Sequence, residues 1–225
     1  INGKDYMYYS SNESGSIYST MYKMSLNSNL GKGSPMTRNT GTNNVTFSKG
    51  MKYFMNSYSD HNTAPIYTLN RTSDREIIEV LEDNSAFNKT LSEYDLSEKE
   101  FFTIETEEGV ELNVWMMKPT DFDPEKEYPL YMFLYGGPGS QQVTDSWGWF
   151  NYFWYQHLNQ LGYIVVCVDN RGTGGKGAEF KKMTYQELGK YETIDQINAA
   201  KYFGNLDYID SERIGIQGWS YGGYM

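Results

Sequence analysis

The sequence predicts an all-β segment of antiparallel blades followed by an α/β segment built on a parallel sheet. Three observations carry this. Through about residue 83 the chain is punctuated by short aromatic or β-branched runs bounded by Gly, Asn, Ser or Pro clusters. Near Asn84 to Lys99 the composition shifts to a polar, acidic connector. Beyond it, continuous apolar runs alternate with helical patterns, as in sheets covered on both faces.

In the first segment the runs are Asp5 to Ser10, Ser19 to Leu26, Asn44 to Ser48, Lys52 to Ser59, Pro65 to Asn70 and Ile77 to Leu81. Apolar groups at both Tyr6, Tyr8 and Met7, Tyr9 give each strand two apolar faces, as stacked blades require. A sandwich also accommodates them. Four-stranded blades of about 40 to 45 residues account for the spacing as one complete blade and part of another. A domain boundary is expected in the connector, dividing the chain into 1–91 and 92–225.

In the second segment, Phe101 to Thr106 and Val110 to Met117 flank the turn Glu107-Glu108-Gly109 and read as a hairpin. Then come a strand over Leu130 to Tyr135, a helix over Trp149 to Leu161, a strand over Tyr163 to Asp169, a helix over Tyr191 to Phe203 and a strand over Arg213 to Gln217. Met183 to Lys190 also reads as helical.

The charge balance is 29 acidic against 19 basic residues, a net of -10, which gives no electrostatic case for nucleic acid. No run approaches the roughly 20 apolar residues that span a bilayer. Cys167 is the one cysteine; it lies in the apolar run Ile164 to Val168 and is expected to pack as a small hydrophobe. The start, Ile1-Asn2-Gly3-Lys4-Asp5, has neither an initiator Met nor a signal-peptide pattern and is expected to be the interior of a longer chain.

The chemistry concentrates in two motifs. Arg213-Ile214-Gly215-Ile216-Gln217-Gly218-Trp219-Ser220-Tyr221-Gly222-Gly223 is a strand running into G-x-S-x-G. A sharp strand-to-helix turn there lifts a serine Oγ off the sheet, and the flanking glycines let backbones crowd together, so Ser220 is the candidate nucleophile. Upstream, Leu134-Tyr135-Gly136-Gly137-Pro138-Gly139-Ser140 follows an apolar strand. A Tyr135 hydroxyl and the Tyr221 backbone N–H are candidate donors to a developing oxyanion. Gly172-Thr173-Gly174-Gly175-Lys176-Gly177 matches G-x-G-x-x-G, yet no second strand ending in an acid follows at the required distance. It is expected to be a loop, with a local Asp169–Arg171 ion pair. His61 and His157, the two histidines, precede Ser220, whereas an α/β-hydrolase places its acid and base after the nucleophile. With one cysteine and two distant histidines there is no case for zinc, and no cofactor is expected.

Together these residues resemble the dipeptidyl peptidase IV group of the prolyl oligopeptidase family of serine peptidases. The marks are Val80-Leu81-Glu82-Asp83-Asn84-Ser85-Ala86, Tyr135-Gly136-Gly137-Pro138-Gly139-Ser140-Gln141, Asp169-Asn170-Arg171-Gly172-Thr173-Gly174, Asp195-Gln196 and Gly218-Trp219-Ser220-Tyr221-Gly222-Gly223-Tyr224. The resemblance implies β-propeller blades followed by the N-terminal part of an α/β-hydrolase domain. It also implies Ser220 as nucleophile, Tyr135 and Tyr221 as oxyanion donors, and Trp219 with Tyr221 against the substrate. Its activity would be release of X-Pro or X-Ala dipeptides from peptide N-termini through an acyl-enzyme. The ammonium-binding glutamates would lie upstream of Ile1, and the triad Asp and His beyond Met225, so the 225 residues alone are expected to be inactive. Peptide substrates, a homodimeric parent and a periplasmic or cell-envelope location are further expectations, with the cytoplasm kept open. The competing readings are an acylaminoacyl peptidase or endopeptidase of the same architecture, and an inactive relative that works by binding.

Overall fold

The computed structural model describes residues 5–27 and 32–225, with residues 149 and 150 described by backbone alone. Residues 1–4, read above as chain interior, lie outside the described residues. The chain divides into two units, Ile1–Tyr94 with Thr144–Gly148, and Asp95–Val143 with Trp149–Met225.

In the first unit, β1 (Tyr6–Ser11), β2 (Thr20–Ser25) and β3 (Ser34–Pro35) form one antiparallel sheet in that order. A second antiparallel sheet runs β4 (Thr42–Phe47), β5 (Tyr53–Ser59), β6 (Ile66–Arg71), β7 (Ile77–Glu82), each strand beside its sequence neighbour. Met21 and Met36 from the first sheet's side pack with Phe54, and Tyr8, Val45 and Phe47 close over them, so the two sheets share one core. The Tyr8 and Phe47 rings are 4.8 Å apart. The connector contains a short helix, α1 (Ser85–Leu91), that its polar composition concealed.

Thr144–Gly148 completes this unit. The Asp145 carboxylate accepts the backbone N–H groups of His61 (2.9 Å) and Gly41 (3.2 Å) and faces His61 Nδ1 at 2.7 Å. Burial pushes this carboxyl up, but the His61 and Gly41 hydrogen bonds outweigh it and hold it below the usual carboxylate value. The Asp145 N–H donates to the Ile17 carbonyl, and the Thr42 hydroxyl donates to the Asp145 carbonyl.

The second unit opens with the hairpin β8 (Lys99–Glu105) and β9 (Glu111–Met117), turned at Gly109, whose φ of 76° suits glycine. There follow β10 (Tyr128–Leu134), α2 (Trp149–Gln160), β11 (Ile164–Asp169), α3 (Gly177–Lys182), α4 (Lys190–Gly204), β12 (Ile209–Gly218) and α5 (Tyr221–Tyr224). The sheet order is β12-β10-β11-β9-β8; β10 is parallel to both β11 and β12, whereas β9 pairs antiparallel with β11 and β8. Alternation along the strands sends Leu112, Val114, Met116, Leu130, Met132, Ile164, Val166 and Val168 to one face, where Ala199 and Phe203 of α4 cover them. The other face carries Trp115 and Phe133, with ring centroids 5.2 and 5.7 Å from Tyr155 of α2. Cys167 is buried there, and burial pushes its thiol pKa up.

Two expectations need correction. The helix after β11 is α3 rather than 183–190: Gln186 and Gly189 have φ values of 62° and 85°, incompatible with a continuous helix, so turns lead into α4. Nor do Asp169 and Arg171 pair. Arg171 Nε and Nη2 instead reach Asp195 on α4 at 2.9 and 2.7 Å, and Nη1 reaches Glu108 at 2.6 Å. Burial opposes charge on this guanidinium, but Asp195 and Glu108 prevail and raise its pKa.

Candidate active site

β12 ends at Gly218 and α5 begins at Tyr221, leaving two residues to reverse the chain. Ser220 takes up the reversal at φ 56°, ψ -114°, a strained conformation for a residue with a side chain. The turn closes because Gly218 and Gly222 have no Cβ. One added at Gly218 would lie 2.6 Å from Gly222 Cα, and one at Gly222 would lie 3.1 Å from Tyr135 Cα and overlap the Leu134 carbonyl. The Gly222, Gly223 and Tyr224 N–H groups donate to the Trp219 and Ser220 carbonyls and start the helix. Among the described residues, no backbone carbonyl outside α5 accepts the Tyr221 N–H. Ser220 is exposed, and so is Trp219, at 78%.

The close contact at Gly222 brings the end of β10 to the elbow. Tyr135 follows β10, and Gly136, at φ 67°, turns the chain away. Gly137 lies between the Tyr135 ring and Tyr221: a Cβ there would be 2.8 Å from Tyr135 Cε1 and 3.3 Å from Tyr221 Cβ. A cleft of about 620 Å³ opens beside them, lined by Tyr131, Phe133, Tyr135, Trp154, Gln217 and Trp219 among others. The four residues singled out from sequence, Tyr135, Trp219, Ser220 and Tyr221, thus meet at the carboxyl ends of β10 and β12, where open α/β sheets bind ligands.

The loop after Tyr135 is fastened to the chain after β11. The buried Asp169 carboxylate accepts the N–H groups of Gln142 (2.9 Å) and Val143 (2.8 Å), the Gly139 N–H donates to the Gly172 carbonyl, and the Gly174 N–H donates to the Ser140 carbonyl. Burial pushes the Asp169 pKa up to about 6 against the pull of those two N–H groups. The Gly172–Gly177 run is therefore a structural loop against which the tyrosine loop is laid. The Tyr221 hydroxyl donates to Glu192 Oε1 at 2.7 Å; burial first, and then that carboxylate, raises its pKa.

His157 is exposed on α2 near Trp154, and His61 is bound to Asp145 within the first unit. Among the described residues no three His, Cys, Asp or Glu side chains group as metal ligands, and no helix is long and apolar enough to cross a membrane.

The family model for the dipeptidyl peptidase IV N-terminal region matches residues 2–65, and that for the prolyl oligopeptidase family matches 149–225. The crystal structure of Porphyromonas gingivalis dipeptidyl peptidase 4 superimposes with a TM-score of 0.92 at 42% identity, over 97% of this chain and 30% of that one. The chain is similar to the dipeptidyl peptidase IV group of the prolyl oligopeptidase family. Among curated relatives in this group, a "Probable dipeptidyl peptidase 4" of Emericella nidulans is 39% identical over 80% of this chain and 23% of its own length. A "Probable dipeptidyl-aminopeptidase B" of Botryotinia fuckeliana is 35% identical over 97% of this chain and 24% of its own. The chain spans about a quarter of the length of these relatives. Its first unit consists of propeller blades and its second of the α/β-hydrolase region.

Proposed function

We propose that the complete protein is a serine exopeptidase releasing N-terminal dipeptides, X-Pro or X-Ala, through an acyl-enzyme. Ser220 is the nucleophile in this reading. The observation that carries it is the elbow itself: a serine at φ 56°, ψ -114° between strand and helix, with Gly222 seated against Tyr135. That crowding supports a shared target for the Tyr135 hydroxyl and the Tyr221 N–H, the oxygen that becomes negative when Ser220 Oγ bonds to the scissile carbonyl. The Ser220 proton passes to a histidine oriented by an aspartate, and then to the leaving amine. Trp219 and Tyr221 flank the substrate. A proline ring before the scissile bond offers apolar area and no N–H, which suits an aromatic wall rather than hydrogen-bonding groups.

The test is hydrolysis of a Gly-Pro chromogenic substrate by the full-length protein, with Ser220→Ala as control. Serine-dependent turnover that is lost when the substrate's amino group is blocked is expected. Turnover of blocked substrates alone would assign an acylaminoacyl peptidase or endopeptidase. No turnover and no labelling of Ser220 by a fluorophosphonate would leave a binding protein.

A further inference from the structure

Helix α4 carries three polar side chains on its buried face, Glu192, Asp195 and Gln196, of which the first two have no exposed surface and the third 5%. Their spacing of three and four residues places them on one side of the helix. Asp195 holds Arg171, a charge pair that needs no further role. The other two lead to the active site. Glu192 Oε1 accepts the Tyr221 hydroxyl at 2.7 Å, while Oε2 accepts the Gly189 N–H at 3.1 Å. Gln196 Nε2 donates to the Val168 carbonyl (3.0 Å) and to Asn170 Oδ1 (3.1 Å). The Asn170 amide donates in turn to the carbonyls of Gly136 (3.1 Å) and Arg171 (2.8 Å).

This wiring reaches both candidate oxyanion donors from behind. Tyr135 is followed by Gly136, whose positive φ leaves its peptide planes free to swing unless something outside the loop holds the carbonyl. Asn170 is that holder, so close that a Cβ on Gly136 would lie 2.7 Å from Asn170 Oδ1. Asn170 is itself fixed by Gln196, because an amide whose oxygen is taken can present only its NH2 to Gly136. On the other side Tyr221 is fixed at two ends, its backbone by the elbow and its hydroxyl by Glu192. Apolar residues would cover the sheet without the cost of burying an acid and an amide, as Ala199 and Phe203 do further along the same helix.

We propose that α4 is the positioning element of the oxyanion site, with Gln196 acting through Asn170 on Tyr135 and Glu192 acting through the Tyr221 hydroxyl on Tyr221. The proposal rests on the oxyanion roles given above. A donor displaced by about 1 Å from the developing charge loses most of its effect, so positioning residues act on kcat rather than on ground-state binding.

The experiment is a pair of double-mutant cycles in the full-length enzyme, with kcat expressed per site titrated by a fluorophosphonate so that unfolded protein is not counted. Gln196→Leu is expected to lower kcat about ten-fold with KM nearly unchanged, and to add nothing in a Tyr135→Phe background. Glu192→Leu is expected to cost about the same, to add nothing to Tyr221→Phe, and to remain fully costly in the Tyr135→Phe background. Glu192→Gln, which keeps an acceptor, should restore most of the rate. Losses that multiply in every background, or that fall on KM alone, would make these residues scaffold and overturn the proposal. If the buried variants yield no titratable sites, Tyr221→Phe decides alone, since it deletes one hydroxyl and no packing; an unchanged kcat overturns the Glu192 arm. A Tyr135→Phe enzyme with normal kcat would instead bring down the oxyanion reading itself, and the proposal with it.

Discussion

Replacing Gly218 by alanine places a methyl group in the tightest part of the elbow. Its carbon would stand 2.6 Å from Gly222 Cα, where carbon atoms normally rest about 3.5 to 4.0 Å apart. The neighbour is backbone, so no side chain can swing aside, and the strand end and the first turn of α5 must separate by about 1 Å. Overpacking of this kind costs about 1–3 kcal/mol of stability. The larger effect is geometric. Ser220 sits between the two glycines, and a shift of about 1 Å between reacting groups costs on the order of 100-fold in rate, equivalent to about 2.7 kcal/mol of barrier. The assay is steady-state hydrolysis of the Gly-Pro substrate by the full-length protein, with active sites counted by fluorophosphonate titration. The expected outcome is a kcat per titrated site lower by about two orders of magnitude. A Gly218→Ala enzyme that keeps its kcat within about two-fold would refute the reasoning, because it would mean the elbow tolerates separation without moving its serine.

Three further outcomes are expected. Ser220→Gly should raise the unfolding free energy measured in urea by about 1 kcal/mol while abolishing turnover, since relief of the strain at φ 56° exceeds the entropy that glycine adds to the unfolded chain; no stabilisation would mean the turn is unstrained. Arg171→Met should destabilise by about 3–5 kcal/mol by stranding the fully buried Asp195, and adding Asp195→Leu should recover most of that in the same unfolding assay. The Asp169 pKa of about 6 lies above its unfolded value, so ionisation opposes folding. This residue's contribution is therefore complete below pH about 4 and falls by about 3 kcal/mol as pH rises through 6. The stability gap between wild type and Asp169→Asn should narrow by that amount from pH 4 to pH 7; a gap that widens would show that the backbone N–H groups outweigh burial.

What could be read from the sequence was what depends on local repetition. The six long strands of the first unit and the strand-helix alternation of the second follow from side-chain period, and their observed ends lie within a few residues of expectation. The sharp turn at Ser220 was legible because a strand entering G-x-S-x-G has a short-range geometric requirement that only certain residues meet. The short strand β3 and helix α1 were not, since two and seven residues show no period against a polar background. Arg171 was assigned the acid nearest in sequence, whereas the fold offers Asp195, 24 residues away. Glu192 escaped notice for a similar reason. An acid in a helix's first turn ordinarily reads as a solvated cap, and only its complete burial beside the elbow sets it apart. Gln196 stood within a family mark, but its role depends on contacts made 26 and 28 residues away.

Thr144–Gly148 also bears on the order in which the protein is built. The Gly41 and His61 N–H groups, the Thr42 hydroxyl and the Ile17 carbonyl are all satisfied by Asp145, which leaves the ribosome some 50 residues after the rest of their unit ends at Tyr94. By then β8, β9 and β10 have already been synthesised. These four blade groups therefore gain their native partner only after three strands of the second unit have been synthesised. A chain cut anywhere between the last blade strand and residue 144 would lose Asp145, and with it the partner of all four of these blade groups.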